Sequence, residues 1–318
     1  MKISGVRKLL ANFVRDLKEF SLSVAVGRLS RDLPIGKWEN RRKRYEKTIL
    51  GYLKKHYPPS LFGNYEIREY EKPDYKNTLW VMWLQGEKNM PPVVESCWKQ
   101  MQRVFKNERL VLLTEKNLAD YINIPFHITD KYKKGLITAT HFSDIVRVML
   151  LNKYGGCWLD ATLWFNSYPC ELMNREFYTL HAPGMFNEFI SRGNWSSFLM
   201  ASRSAKSRKL YCYLERAFFE YWRRHDAMID YLWIDYFILI MLEKDLELKH
   251  DLDELPCNRD YYMLNLRMNE PWSHNVFTEM MHKSEVQKLT YKGKLIERNA
   301  DGQLTNYGYI LSTRTLNV

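Results

Sequence analysis

The sequence has no long hydrophobic run. None of the apolar segments in its 318 residues approaches the roughly 18 that a membrane-spanning helix needs. The N-terminal segment also lacks the uncharged stretch of a signal peptide, because charges interrupt it at Arg7, Lys8, Arg15, Asp16 and Lys18. We therefore expect a cytoplasmic protein, in which any membrane contact is peripheral and on the inner face of the cell membrane.

Cysteine is scarce and dispersed. The five cysteines form no Cys-X-X-Cys pair and lie far apart in the chain, at Cys97, Cys157, Cys170, Cys212 and Cys257. Such spacing is typical of reduced thiols in a cytosolic protein and does not favour a disulfide framework or a structural zinc site.

Glycine and proline are also few, 14 and 11 residues, and the chain shows no internal repeat or low-complexity segment. The apolar fraction of 46% is ample for a packed core, which excludes a largely disordered chain. No Gly-X-Ser-X-Gly sequence is present, so a hydrolase with a nucleophilic serine has no support. Nothing marks a linker between independent domains, and we expect one α/β core with helical additions.

Positive charge is abundant. The formal net charge of +11 indicates an anionic partner, which is nucleic acid, a membrane surface or a phosphorylated substrate. The strongest basic run, Arg41 to Arg44, is not accompanied by an RRM, zinc-finger or helix-turn-helix pattern. We therefore expect no nucleic-acid partner.

Two helices are predicted before the core. Residues 3 to 29 carry an apolar stripe, which either lies on an anionic membrane or packs onto the body of the protein. The second helix, from Trp38 to His56, contains the run Arg41 to Arg44, which forms either a solvated face or an electrostatic membrane tether. These helices define a basic N-terminal extension, residues 1–60, ahead of a catalytic-type α/β domain, residues 61–318.

The core begins as an alternation of strands and helices. This order predicts a wound sheet that is mostly parallel. The predicted strands are Thr78 to Gly86, Arg109 to Leu113, Phe177 to Leu180, Ser197 to Ala201 and Lys288 to Lys292, and the predicted helices are Val93 to Phe105, Glu115 to Ile122, Ala205 to Arg223 and Ile234 to Leu246.

The stretch from Thr138 to Phe165 is the most informative part of the sequence. It predicts a helix that carries Asp144 and Arg147 on one face, a turn at Gly155-Gly156, and a buried strand that ends on Asp160. Open α/β sheets place ligand sites at the carboxyl ends of their strands. Asp160 is therefore expected at such a site.

These residue types suit the binding of a nucleotide sugar. Trp83 can stack on a base, Asp160 can hold ribose or a divalent cation, and Asp144 with Arg147 can grip the sugar or a phosphate. Each has a simpler alternative: Trp83 as a core residue, and Asp144 with Arg147 as a solvated ion pair.

The string SDIVRVMLLNKYGGCWLDATLWF, at residues 143–165, resembles the signature of the capsular polysaccharide synthesis proteins, relatives of glycosyltransferase family 32 and, more distantly, of the glucosylating clostridial toxins. WVMWLQG at Trp80 to Gly86 and KLTYK at Lys288 to Lys292 resemble two further blocks of that family. The resemblance implies a GT-A-like wound mixed sheet flanked by helices, with an N-terminal helical extension.

The activity implied by this resemblance is transfer of a hexose from a nucleotide sugar, expected to be a UDP-sugar, to a growing surface polysaccharide with retention of configuration. The expected acceptor is a lipid-linked oligosaccharide, and peripheral contact with an anionic membrane is expected. The alternative is a non-catalytic GT-A-like scaffold that binds a sugar or a partner protein.

The resemblance also assigns residues. It implies base stacking by Trp83 with Gln85 and Gly86 beside it, sugar and phosphate contacts by Asp144 and Arg147, and the first acid of an Asp-X-Asp motif at Asp160. Lys292 and Arg147 are expected to stabilise the leaving diphosphate.

A Mn²⁺ or Mg²⁺ ion is the implied cofactor, with Asp160 and a late histidine, His274 or His282, as ligands. Thr162 stands where the second acid of the motif would be, which leaves metal dependence open. Asp235 is expected either to orient the acceptor hydroxyl or to cap its helix. Asp251-Leu-Asp253 spells the motif literally but follows a charged helix, so we expect it on the solvated surface.

Overall fold

The computed structural model describes residues 3–63 and 70–315. The helices of this part are α1 (Ile3–Glu19), α2 (Leu22–Asp32), α3 (Trp38–His56), α4 (Pro92–Val104), α5 (Leu118–Tyr121), α6 (Phe126–Lys133), α7 (Ala139–Lys153), α8 (Cys170–Asn174), α9 (Ala205–Arg224), α10 (Trp233–Leu242), α11 (Leu246–Asp253), α12 (Met263–Leu266), α13 (His274–Lys283) and α14 (Asn306–Ser312). The strands are β1 (Leu79–Met82), β2 (Leu110–Leu113), β3 (Gly156–Leu159), β4 (Leu163–Phe165), β5 (Phe177–Thr179), β6 (Leu199–Ser202) and β7 (Val286–Lys288). Within these ranges, every helix is too short or too polar to cross a bilayer.

The main sheet has five strands in the order β2-β1-β3-β6-β5. Strands β2, β1 and β3 are parallel, and β6 pairs antiparallel with both β3 and β5. The apolar run of β3 is buried throughout, as expected for a central strand covered on both faces. This mixed sheet, flanked by helices and preceded by N-terminal helices, confirms the expected fold class and is consistent with a GT-A-like fold.

The turn between α7 and β3 needs its two glycines. Gly155 and Gly156 have φ angles of 72° and 90°, which L side chains rarely adopt. A Cβ on Gly155 would lie 2.6 Å from the carbonyl oxygen of Ser202, and one on Gly156 would overlap the carbonyl oxygen of Thr78. The helix and the strand can approach this closely only because both positions lack a side chain.

A second, two-stranded sheet pairs β4 with β7, and Leu163 lies opposite Lys288 in its register. The strand predicted at Lys288 to Lys292 is therefore wrong in its bounds, since β7 ends at Lys288. Beyond it, the Lys292 backbone N–H donates to the hydroxyl of Thr290, and this local bond turns the chain away from the ladder.

The N-terminal helices belong to the same core. The single stripe predicted over residues 3 to 29 is divided between α1 and α2, because the Ser21 hydroxyl accepts the Val24 N–H and starts a new helix. Helix α3 has its predicted bounds, and its Tyr45 hydroxyl donates to the carbonyl of Ile229 at 2.9 Å. The domain boundary at residue 60 stays a prediction.

One face of α1 packs and the other does not. The buried carboxylate of Asp16 pairs with Arg28, and the ring of Phe20 stacks near Tyr221. Elsewhere on the helix, four apolar side chains of α1 are exposed, Val6, Leu10, Val14 and Leu17. The two alternatives for this helix are thus compatible: it packs on the body and still presents an apolar face.

The basic run of α3 is only partly solvated. The guanidinium of Arg41 donates to the carbonyls of Arg31 and Leu33, and Arg42 pairs with Glu46 at 3.0 Å. Lys43 and Arg44, in contrast, are exposed.

The helix predicted at Ile234 to Leu246 is two helices. Helix α10 ends at Leu242, and Asp245 caps α11 by accepting the Leu248 N–H at 3.0 Å. A capping side chain outweighed the apolar periodicity at this point.

Candidate active site

A cleft of about 440 Å³ opens at the carboxyl ends of the parallel strands β1 and β3. The residues after β1, the residues after β3, the start of α7 and the segment after β7 all reach it. Its lining comprises Met82, Trp83, Leu84, Gln85, Ala139, Thr140, Ser143, Arg147, Trp158, Asp160, Ala161, Thr162, Tyr231, Tyr262, Lys288, Leu289, Thr290, Tyr291 and Lys292. This edge of the sheet is where wound α/β folds bind ligands.

Asp160 lies at the centre of this cleft. Its Oδ1 accepts the Nε1–H of Trp158 at 2.9 Å and Nη2 of Arg147 at 3.2 Å. Its Oδ2 accepts Nζ of Lys288 at 2.8 Å. Burial by itself would raise the pKa of Asp160, but the charges of Lys288 and Arg147 outweigh it and the pKa is lowered. Asp160 is therefore a carboxylate that accepts hydrogen bonds from three donors.

Lys288 joins Asp160 to Thr162. Its Nζ lies 2.7 Å from the Thr162 hydroxyl as well as 2.8 Å from Asp160 Oδ2, and 4.8 Å from the centroid of the Phe198 ring. The ammonium group thus occupies the space between the first and third residues of the Asp160-Ala161-Thr162 turn.

Asp144 and Arg147 form a buried pair, not a solvated one. Nη1 of Arg147 donates to Asp144 at 2.9 Å, and the two residues are 3% and 5% exposed. Burial raises the pKa of Asp144, against the opposing effect of Arg147. The guanidinium also lies over the Trp158 ring, 5.0 Å from its centroid. Arg147 reaches the cleft, and Asp144 holds it from behind.

Two aromatic rings flank the cleft. Trp83 follows β1, is half-buried, and meets Tyr291 edge to face with 5.8 Å between ring centroids. Gln85 is exposed in the cleft, and Gly86 continues the same turn with a φ of 83°. Lys292 is exposed beside Tyr291. The structure therefore brings Trp83, Gln85, Arg147, Asp160 and Lys292 together as the sequence predicted.

Asp235 does not line the cleft. Its carboxylate accepts the Nε1–H of Trp195 at 2.8 Å in the interior, and α10, which begins at Trp233 after the N-cap residue Leu232, has no side-chain cap. Burial, with a smaller contribution from the charge of Asp144, raises the pKa of Asp235 to about 7. The structure thus places Asp235 in neither of its two predicted positions, acceptor contact or helix cap.

The histidines named as metal ligands lie elsewhere. His274 is the exposed first residue of α13, next to the Trp272 ring, and His282 is in the last turn of the same helix. Neither is among the residues that line the cleft.

The literal Asp251-Leu-Asp253 motif lies in α11. Asp251 pairs with Lys206 at 2.8 Å and Asp253 with Lys249 at 2.5 Å, both near the surface. Its surface position is as predicted, although both acids are within the helix and not after it.

The residues around Asp160 do not fit a divalent cation. Mg²⁺ and Mn²⁺ are usually bound by one or two protein carboxylates together with substrate phosphates and waters, so at least one carboxylate oxygen must be free to face the ion. In residues 3–63 and 70–315 no group of three or more His, Cys, Asp and Glu side chains is arranged to hold a metal. Both oxygens of Asp160 and the Thr162 hydroxyl already accept from cationic or N–H donors.

Sequence reasoning missed Lys288, Trp158 and Tyr291. Lys288 and Tyr291 lie in the KLTYK block, but the sequence analysis assigns a role only to its other lysine, Lys292. Trp158 follows the glycine turn in an apolar run that predicts only a buried strand, whereas its indole N–H donates to Asp160. The two-residue spacing of Trp158 and Asp160 along the chain was the available signal.

Comparison with known proteins identifies the family. The family described as capsular polysaccharide synthesis protein matches residues 33–307, a range that contains the whole cleft lining. The O-glycosyltransferase PaGT of Phomopsis amygdali is 32% identical over 105 residues, which cover 30% of this chain and 26% of that protein. Because the family match extends over most of the chain and includes every residue of the cleft, the chain belongs to the capsular polysaccharide synthesis protein family.

Proposed function

We propose that this protein is a glycosyltransferase that moves a hexose from a nucleotide sugar, a UDP-sugar, to the growing repeat unit of a surface polysaccharide. The single observation that carries the proposal is the cleft itself, in which Asp160, two cationic side chains and an aromatic pair meet at the carboxyl ends of the sheet. The family and the similarity to PaGT support the same reaction class.

The distribution of charge suits a diphosphate. Arg147 and Lys288 both bond Asp160, and Lys292 adds an exposed positive charge at the rim. The first turn of α7, at Ala139 and Thr140, also lines the cleft, and a helix N-terminus carries partial positive charge. A nucleoside diphosphate finds its counter-charge here.

The base and the sugar have separate candidate contacts. We propose that Trp83 or its neighbour Tyr291 stacks on the base, with Gln85 hydrogen-bonding nearby. Asp160 and Arg147 contact the ribose, sugar or phosphate. Asp144 acts as a positioning residue, because it holds Arg147 without reaching the cleft.

For the chemical step we propose front-face displacement with retention. The bond between the sugar C1 and the diphosphate oxygen breaks, and its electron pair stays on the diphosphate. The acceptor oxygen bonds C1 on the same face, and the acceptor proton passes to the diphosphate oxygen. Negative charge grows on the leaving oxygen in the transition state. Fixed positive groups around that oxygen therefore lower the barrier.

The test of this function is nucleotide release from a panel of nucleotide sugars by the purified chain, with Mn²⁺ and with chelator. Release with one donor or a few donors is the expected result. A protein that binds a nucleotide sugar but never releases nucleotide, with any acceptor extract, is the non-catalytic scaffold. A protein that neither binds nor turns over any donor contradicts the proposal.

We further propose that the acceptor is a lipid-linked oligosaccharide, reached by peripheral docking of α1 on the inner face of the cell membrane. The exposed face of α1 carries Leu10, Val14 and Leu17, and the exposed Arg7 and Lys8 flank them. Apolar side chains with adjacent basic ones bind anionic interfaces.

Vesicle sedimentation tests this docking. The full chain should sediment with vesicles containing phosphatidylglycerol and remain in solution with phosphatidylcholine alone. Leu10→Glu with Val14→Glu should abolish sedimentation, while Leu246→Glu, an exposed leucine on α11, should not. Sedimentation that is unchanged in the α1 double variant contradicts the docking surface.

A further inference from the structure

Lys288 lies where a cation would be expected. A cation bound by the side chains of residues 160 and 162 together would have to lie between their oxygens, and here the Lys288 Nζ lies 2.8 Å from Asp160 Oδ2 and 2.7 Å from Thr162 Oγ1. An ammonium carries three N–H donors, of which these two oxygens accept two. Lys288 lines the cleft, so its third donor is available to a ligand there.

The charges balance in the same way as in a metal site. Two acids with one divalent cation sum to zero, and so do Asp160, the neutral Thr162 and the singly charged Lys288. Replacement of the second acid by Thr162 removes one negative charge, and the ammonium supplies one positive charge fewer than a divalent ion. The change at position 162 is thereby explained together with the position of Lys288.

The backbone holds Lys288 in place. Lys288 pairs with Leu163 in the β4–β7 ladder, its N–H donates to the carbonyl of Tyr261 at 2.6 Å, and the Leu289 N–H donates to the carbonyl of Thr162 at 2.9 Å. The Phe198 ring lies against the ammonium group. The strand that carries Lys288 is thus bonded directly to the turn that carries Asp160, which fixes the amine before any ligand arrives.

We propose that the Lys288 ammonium replaces the divalent cation, binding the donor diphosphate and stabilising the charge on it as the sugar departs. This inference rests on the proposed function. Lys288 remains protonated throughout and donates a hydrogen bond to the diphosphate oxygen that receives the electron pair. Asp160 then serves to position the amine and to compensate its positive charge before the donor binds.

Manganese binding tests the inference without any donor. Mn²⁺ is titrated into the wild-type chain and into Asp160→Asn, and binding is followed by electron paramagnetic resonance. The two titrations should agree, because no Mn²⁺ site should depend on Asp160. A Mn²⁺ site of micromolar affinity that is lost in Asp160→Asn overturns the inference and leaves the proposed function standing.

Calorimetry with UDP gives the second test. Wild-type affinity should be the same with Mn²⁺ and with chelator, and Lys288→Ala should lower it about 10- to 100-fold, the usual range for a lost charged hydrogen bond. Lys249→Ala is the matched control, because Lys249 pairs with Asp253 on the surface of α11, and it should leave the affinity unchanged. Affinity that depends on Mn²⁺ in the wild type, or is unaffected in Lys288→Ala, overturns the inference.

A third test asks whether Lys288 replaces the cation or has only a structural role. If it replaces the cation, a variant that restores the second acid and lacks Lys288 should bind UDP in a metal-dependent way. The double variant Thr162→Asp with Lys288→Ala recreates two acids around an empty space. UDP binding by this variant should be weak with chelator and should recover at least about 10-fold with Mn²⁺. Equal binding under both conditions counts against Lys288 as the replacement. If UDP binds neither the wild type nor any variant, and no Mn²⁺ site at Asp160 is found, the proposed function is refuted. The role of Lys288 is then refuted with it.

Discussion

Two tripeptides of this protein can be compared with an Asp-X-Asp motif, and they have different surroundings. Asp251-Leu-Asp253 has both acids of the motif and lies in α11 at the surface, whereas Asp160-Ala161-Thr162 has one acid and lies in the cleft. In each tripeptide one acid pairs with a lysine. Asp253 lies 2.5 Å from Lys249, and Asp160 lies 2.8 Å from Lys288. The motif is complete only at the surface, and pairing with a lysine does not distinguish the two tripeptides.

What differs is the element that presents the acid. Asp160 follows a buried strand, accepts three donors and reaches a cleft lined by aromatic rings. Asp253 is half exposed and pairs only four residues along its own helix, an arrangement that contributes about 0.3 to 0.5 kcal/mol. The comparison indicates that the candidate site is marked by a strand end in a wound sheet and not by the Asp-X-Asp letters.

The strongest test of this comparison exchanges each acid for its amide. Asp160→Asn should lower donor turnover on the order of 100- to 1000-fold with the fold intact, because the charge that organises Arg147 and Lys288 is lost. Asp253→Asn should stay within about twofold of the wild type. Released nucleotide is the readout, with circular dichroism for the fold. Near-normal turnover in Asp160→Asn would remove Asp160 from the site.

The second test compares two glycines that both have positive φ. Gly156→Ala should lower the free energy of unfolding by about 3 kcal/mol or more, because the new Cβ overlaps the Thr78 carbonyl as well as straining the backbone. Gly302→Ala has open space around it and should cost only about 1 kcal/mol. Urea unfolding measures both. Equal losses in the two variants would mean that close packing at the α7–β3 turn is not what requires Gly156.

The third test concerns the aromatic rim. Trp83→Ala should weaken UDP binding about 10-fold through lost stacking, and Trp83→Phe should retain most of the affinity. Trp38→Ala, at an exposed tryptophan of α3, should have no effect. Fluorescence or calorimetric titration gives the affinities. Unchanged binding in Trp83→Ala would leave Tyr291 as the stacking residue.

The last test concerns a carboxylate behind the cleft. Burial raises the pKa of Asp235 to about 7, so the folded state holds a proton that the unfolded state releases near its ordinary pKa. The stability it contributes is full at low pH and is lost as the pH rises through about 7.

Asp235→Asn is neutral at every pH and can still accept from Trp195. The free energy of unfolding of this variant, relative to that of the wild type, should therefore increase by about 2 kcal/mol between pH 5 and pH 8. For Asp253→Asn the free energy of unfolding should stay within about 0.5 kcal/mol of the wild type at both pH values. Thermal unfolding at the two pH values measures this. A gain that is flat with pH would show that Asp235 is not the group that titrates.

The local half of the site could be predicted from the sequence. The helical spacing before Lys153, the glycine pair and the short apolar run before Asp160 are all neighbours in the chain, and α7, the Gly155-Gly156 turn and β3 appear where expected. Local periodicity and glycine conformation are sufficient for such a unit.

The other half depends on contacts between distant segments. Lys288 is 128 residues from Asp160, and it arrives through β4 and β7, each only three residues long. Strands of that length are too short to show a period of two, and pairing across such a distance leaves no local pattern. The same reason explains why Asp235 was assigned a role without its true neighbour, Trp195.

A crystal structure of the chain with UDP tests the central claim most directly. The diphosphate should lie within hydrogen-bond distance of Lys288 Nζ, next to Asp160, with the base against Trp83 or Tyr291. UDP bound outside this cleft, or bound within it with the diphosphate away from both Lys288 and Arg147, would contradict the account.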